Sequence, residues 1–400
     1  MIICRYWRYD IAMNKNFCLV LAGGGTKGAY QVGVWKALKE LDITISAIAG
    51  TSIGAINAAF MIQGSAEKLE QMYYNIDVDD VIDTDVEISQ SKNIFSISNI
   101  AKIARDFIRL KGFNNEPLRN LLQQNLDIER LYNSDIDFGM VTYSIKDHKP
   151  NEVFKGDIEK EDFIKYLLAS ACFPIYKAQK IGENTYMDGG LYDNMPINML
   201  IKKGYKRFIA VDISGPGLKR SLINKDIYIK LIRPNESIGG IFDFDRERIK
   251  RNIELGYLDT MKAFCKLQGR RYYFKTNDFC KMLRKFSIQT IEGLEIAANL
   301  YDMDENTIYK PDAFLKELKS RHDAAFEQYS EAKKAMGITT VIKEYDKIKN
   351  LLNKEQILCF FVDKIADEPI FNIIGESALF SDYITAGRAI IELNNSTDPQ

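Results

Sequence analysis

Three short stretches of this chain carry residue types that together could perform acyl transfer. The first, Gly23-Gly24-Gly25-Thr26-Lys27-Gly28, lies between an apolar run and a helical pattern, so its unshielded amides form an anion site. That site suits an acyl oxyanion, and it suits a dinucleotide pyrophosphate as well. The second, Gly50-Thr51-Ser52-Ile53-Gly54, is a GxSxG whose glycines permit the sharp turn that lifts a serine above a sheet edge at a helix start. The third, Asp188-Gly189-Gly190, is by itself an ordinary turn signal, but it follows the strand-like Thr185-Tyr186-Met187 and supplies a carboxylate.

A dinucleotide site would need a carboxylate at the end of the next strand to hold the ribose, and that strand ends Ile48-Ala49-Gly50. A P-loop is excluded because Ala29 and Tyr30 follow Gly28 where Lys and Ser or Thr are required. A serine nucleophile needs a general base, and the chain has only two histidines, His148 and His322. His148 stands in a polar turn. His322 stands in a charged helical stretch, although it follows Ser52 in the chain order of an ordinary hydrolase triad. Asp188 as base is the simpler account. With a reference pKa near ~3.9, an aspartate serves only if burial raises that value and the oxyanion is strongly held.

Stepwise patterning supplies the elements that would position these residues. Residues 17–22 form a short, β-rich apolar run, and Tyr30, Val34, Ala37, Leu38 and Leu41 recur at helical spacing over 28–41. Residues 45–50 read as a second buried strand, followed by a small-residue helix from Ile53. This order predicts a right-handed βαβ unit whose parallel strands end on one edge of a sheet. Paired directly, at ~4.8 Å, they would make the glycine loop and Ser52 neighbours. Further strands are expected at 138–144, 151–154, 185–187 and 207–213, with charged helical periodicity from about Asp243 onward.

Bulk composition narrows the class of partner. Four hundred residues exceed one compact core, so a second, smaller module is expected. Basic and acidic residues number 54 and 55, without the excess that phosphate neutralisation requires, so nucleic acid is not an expected partner. The six cysteines form no CxxC pair and have no histidine at ligand spacing, which argues against a zinc or redox site and fits free thiols in a reducing compartment. The first ten residues lack an apolar signal region, and no stretch reaches the ~18 apolar residues of a membrane span. The reading is of a cytoplasmic protein, compatible with peripheral membrane contact or signal-independent export; Met13 is an alternative start, and the oligomeric state is not legible.

Together the three motifs resemble those of the patatin-like phospholipase family, which pairs a glycine-rich oxyanion loop, a GxSxG serine and a late Asp-Gly-Gly or Asp-Gly-Ala aspartate. Ala169-Ser170-Ala171-Cys172-Phe173-Pro174 and the stretch Asn115 to Leu122 are similar to family blocks as well. The resemblance implies a three-layer α/β/α fold with a mainly parallel central sheet over about 16–215. An extension over 1–15 precedes it, and a mainly helical region over 216–400 follows, whose start around Phe242 is similar to the helical extension of some bacterial members. It further implies Ser52 as nucleophile, Asp188 as base, an oxyanion loop from Gly23 to Gly28, no metal or cofactor, and phospholipid or another acyl-ester lipid as substrate. Acyl transfer to an alcohol, or lipid binding without turnover, is compatible with the same motifs. Residues 92–111 form a basic amphipathic pattern that suits either a membrane interface or packing on the sheet, and Phe242 and Phe244 read as core.

Overall fold

A computed structural model describes residues 16–81, 113–336, 352–367 and 380–397. The expected extension over 1–15 and the amphipathic pattern over 92–111 lie outside these residues. The chain divides into two compact units, residues 1–263 and 264–400. In the first, β1 (Asn16–Leu21) leads through the glycine loop to α1 (Ala29–Glu40), β2 (Thr44–Gly50), α2 (Ile53–Ile62) and α3 (Ala66–Asn75). Then follow α4 (Glu116–Asn125), β3 (Asp137–Ser144), β4 (Lys149–Phe154), α5 (Phe163–Ser170), β5 (Gln179–Ile181) and β6 (Asn184–Asp188). The unit closes with α6 (Ile197–Lys202), β7 (Arg207–Val211), β8 (Tyr228–Ile232) and α7 (Arg246–Ala263).

The sheet is parallel through β3, β2, β1, β7 and β8, with β4, β5 and β6 antiparallel additions. Its central strands are apolar on both faces because both faces are covered. Cys18, Val20, Ala47, Ala49, Phe208 and Ala210 pack with Ile197, Met199 and Leu200 of α6. The alternate residues Leu19, Leu21, Ile48, Ile209 and Val211 are buried too, on the opposite side of the pleat. The β8 strand and α7, beyond the expected boundary at 215, pack in this first unit: β8 pairs with β7, and α7 lies on α1.

Strand register explains how the two ends of the site meet. Along residues 139–144, β3 is paired with β4. Asp137 to Met140 also pair with β2, and Thr142 to Ser144 also pair with β6. A strand has two edges, and β4 occupies one, so β2 and β6 share the other in succession. Gly50 pairs with Met140 and Asp188 with Thr142, which sets the aspartate just beyond the end of the strand that delivers the serine.

The second unit has a three-stranded sheet, ordered Ile308–Tyr309, Tyr273–Lys275, Leu267–Gln268, among helices that bury Tyr272, Phe274, Phe314 and Leu358. Among the described residues of either unit, no helix is long and apolar enough to cross a membrane.

Helices α1 and α7 cross with backbones in contact. A Cβ on Gly33 would lie 1.8 Å from the Ile253 carbonyl oxygen, and one on Gly256 would lie 2.0 Å from that of Tyr30. Tyr30 donates to Asp259 (2.8 Å) and Tyr257 to Glu40 (2.8 Å) on either side of the crossing. Because α1 begins at the glycine loop, this crossing fixes the loop from behind. Gly256→Val should lower stability by about 1–3 kcal/mol, as overpacked cores do, whereas Gly156→Ala, which meets nothing within 4 Å, should leave the thermal midpoint unchanged. Equal midpoints for the two variants would contradict the crossing.

Candidate active site

Ser52 sits where β2 turns into α2, at φ 56° and ψ −128°, a conformation costing a side chain roughly 1–3 kcal/mol. Neighbouring glycines make that turn sterically feasible. A Cβ on Gly50 would lie 2.4 Å from the Gly54 backbone, and one on Gly54 would lie 2.2 Å from the Leu21 carbonyl oxygen at the end of β1. Hydrogen bonds hold the turn from three sides. The Thr51 amide donates to Leu21 (3.2 Å), the Thr51 hydroxyl donates to the Asp193 carbonyl (2.8 Å), and the Ser52 amide donates to the Ser170 hydroxyl (3.0 Å). Ser170 in turn donates to the Val141 carbonyl of β3 (2.8 Å), so α5 ties the strained residue to the sheet.

Asp188 is 4% exposed, its carboxylate accepts from the Gly190 amide at 2.7 Å, and it lines the same cavity as Ser52. Burial pushes its pKa up to about 6, and the Gly190 amide and the nearby Ser52 side chain partly offset the rise. Gly189 lets the following turn press on β3, since a Cβ there would lie 2.1 Å from the Val141 carbonyl oxygen. Cys172, whose carbonyl accepts the Asp188 amide at 2.9 Å, has its thiol pushed up to about 12 by burial, which leaves it a poor nucleophile.

The glycine loop lies across the end of β1, against the segment that follows β7. Asn194 clamps it, accepting from the Gly23 amide (3.0 Å) and donating to the Gly23 carbonyl (3.3 Å) through its side-chain amide. The Thr26 amide donates to Ile241 (3.0 Å) and the Lys27 ammonium to the Ser214 carbonyl (3.1 Å). Burial lowers the Lys27 pKa, and the lysine anchors one loop to the other. Beneath the loop a buried relay runs from Tyr73 to Asn57 (3.1 Å), Asn57 to Gln31 (2.8 Å) and Gln31 to the Ala22 carbonyl (2.7 Å). Among the described residues, the amides of Gly24, Gly25 and Ile53 have no acceptor. These donors are free to meet negative charge beside Ser52.

A cavity of about 600 Å³ opens over Ser52, Asp188 and the glycine loop. Its walls are apolar, with Leu69 and Met72 of α3, Leu118 and Leu121 of α4, and Phe242 and Phe244 among them. The two phenylalanines, read from sequence as core, are half-buried and belong to the wall, where Phe242 meets Phe173 edge-on at 6.1 Å. Sequence reasoning gave no role to Asn194, Gln31 and Asn57, and placed Ser170 only within a family-like block; the partners of Asn194 and Ser170 lie 171 and 118 positions away. The one available signal was an asparagine six residues after Asp188.

The histidines are placed elsewhere. His148 is exposed in the β3–β4 turn. His322 is buried in the second unit, bonded through Nδ1 to the Tyr301 hydroxyl at 2.7 Å, and burial lowers its pKa. Among the described residues no group of three His, Cys, Asp or Glu side chains could hold a metal ion.

A family model described as Patatin-like phospholipase matches residues 19–201. Uncharacterized protein YqhO of Bacillus subtilis (strain 168) is 24% identical over 224 residues, covering 49% of this chain and 70% of YqhO. Patatin-like phospholipase domain-containing protein 6 of Mus musculus is 22% identical over 204 residues, covering 51% of this chain and 14% of the mouse protein. Among solved structures, VipD from Legionella pneumophila aligns with a TM-score of 0.41 and 14% identity, over 96% of this chain and 84% of VipD. The family match runs from β1 into α6, spanning the glycine loop, the Ser52 turn and the Asp188 loop, so that residues 19–201 make up a patatin-like phospholipase domain.

Proposed function

We propose that this protein is a lipid acyl hydrolase of the phospholipase A or lysophospholipase type, acting through Ser52 and Asp188. The observation that carries the reading is a strained serine and a buried aspartate together in the lining of one apolar cavity. In the reaction, the Ser52 hydroxyl attacks the ester carbonyl while Asp188 takes its proton. The amides of Gly24 and Gly25 receive the oxyanion, since that of Gly23 is already donated to Asn194. Collapse of the tetrahedral adduct expels the alcohol or lysolipid, which leaves with the proton from Asp188. Water, deprotonated by the same carboxylate, then frees the fatty acid. The acyl chain lies along the apolar wall, which favours long-chain esters over small polar ones.

Ser52→Ala and Asp188→Asn should each reduce kcat on a phospholipid by at least about 1000-fold, and His322→Ala should leave it unchanged. Loss of activity in the His322 variant, with folding intact by circular dichroism, would replace the aspartate by a conventional triad. Gly25→Ala should cost about 100- to 1000-fold in kcat, because its Cβ would fall 1.9 Å from the Ile241 carbonyl oxygen and displace the amide.

Asp188 must be charged to act, so kcat/KM should fall about tenfold per pH unit below about 6. The same burial has a stability signature. With its folded pKa above the unfolded value of ~3.9, the native state holds the proton more tightly than the unfolded chain. Stability is therefore lost as pH rises from about 4 to about 6, and the loss persists above that range. Asp188→Asn should be more stable than wild type at pH 8 by up to about 3 kcal/mol, with the advantage gone below pH 4, as read by denaturant unfolding. An inactive asparagine variant that is also destabilised at pH 8 would remove the buried charge from the account.

A further inference from the structure

The rim of the cavity carries an exposed apolar patch that the reaction itself does not use. Among the described residues of the first unit, five large hydrophobic side chains are exposed: Leu191, Leu218, Leu222, Ile223 and Leu231. The first four lie along two neighbouring segments at the mouth. Leu191 and Leu218 line the cavity, and Leu222 and Ile223 follow Leu218 in the same exposed segment. Such concentration beside one opening is unlike the scattered apolar exposure of an ordinary surface.

The backbone beneath this patch is fastened down. The Leu218 amide donates to Gly190 (3.0 Å), the Asn194 amide to Leu218 (2.6 Å), the Asn198 side chain to Ser221 (2.9 Å), and the Ile223 amide to Asn198 (3.1 Å). With these polar groups satisfied, what residues 216–226 present outward is their side chains, and all of them are exposed. Ile223 is 59% exposed and Leu218 57%, so neither finds cover within the unit. Interleaved with them are Lys219, Arg220 and Lys225; Lys219 pairs with Asp212 (2.6 Å) and Asp226 with Lys206 (3.7 Å), so Arg220 and Lys225 carry the local excess of positive charge. Apolar side chains flanked by lysine and arginine match a bilayer with anionic headgroups, where the first enter the acyl boundary and the second meet phosphate.

We propose that residues 216–226, with Leu191, form a docking surface for an anionic phospholipid bilayer, seating the cavity mouth on the membrane so that an acyl chain passes directly to Ser52. The inference extends the lipid-hydrolase reading and is tested apart from it. Full-length wild type and the Leu222→Asp/Ile223→Asp variant, neither position lining the cavity, would be co-sedimented with vesicles of phosphatidylcholine and phosphatidylglycerol in equal parts. Both would also be assayed on a soluble p-nitrophenyl ester. The variant should bind vesicles about tenfold or more weakly, hydrolyse vesicle lipid correspondingly more slowly, and match wild type on the soluble ester. Lys225→Glu should weaken binding to these vesicles and leave binding to pure phosphatidylcholine unchanged. Wild-type binding that is absent, or that survives the double substitution, overturns the proposal, as does a wild-type dimer in sedimentation velocity that the substitution dissociates without any vesicle binding. Vesicle binding lost in the variant while wild type is inert on every ester would sustain the docking surface and sink the hydrolase reading.

Discussion

The structure of the site depends on the shared edge of β3. Two strands that are distant in sequence, β2 and β6, take that edge one after the other, and their adjoining ends carry Ser52 and Asp188. No side chain at Gly50 or Gly54 could be added without meeting backbone within 2.4 Å, so the serine is presented at one height above the sheet. Gly189 gives the aspartate turn the same close approach to β3. Geometry of this kind is set by the ladder hydrogen bonds of a buried sheet, which are among the least deformable contacts in a protein.

Around that constraint the polar groups are arranged to leave selected donors unused. Asn194 consumes both backbone groups of Gly23, Ser170 consumes the amide of Ser52, and Gln31 and Asn57 satisfy carbonyls beneath the loop. The Gly24 and Gly25 amides remain without an acceptor in the lining of an apolar cavity, where a hydrogen bond to developing charge is stronger than in water. The burial that would strengthen them also raises the Asp188 pKa, so in the proposed mechanism a single environment tunes both the base and the oxyanion site.

Much of this arrangement was legible in the sequence where the signal was local. The βαβ start followed from apolar runs and helical spacing: strands expected over 17–22 and 45–50 occur at Asn16–Leu21 and Thr44–Gly50, paired directly. Gln179–Ile181 was too short to stand out, and Tyr228–Ile232, a short run interrupted by Lys230, lies beyond 215, where a mainly helical region was expected. Residues whose value lies in a partner far along the chain left no local trace of what they do. Asn194 acts on a glycine 171 positions earlier, and Ser170 acts on an amide 118 positions earlier. Phe242 and Phe244 have the composition of core and the location of a cavity wall, a distinction that only tertiary packing makes.

The central claim is that Ser52 is a nucleophile whose reactivity is set by Asp188. A fluorophosphonate probe, which bonds covalently to an activated serine, tests it without any choice of lipid. Peptide mapping by mass spectrometry should find the label on Ser52, with a labelling rate that rises through about pH 6 in wild type and is slow at every pH in Asp188→Asn. Label on another residue, or a Ser52 rate indifferent to both pH and the asparagine, would contradict the account.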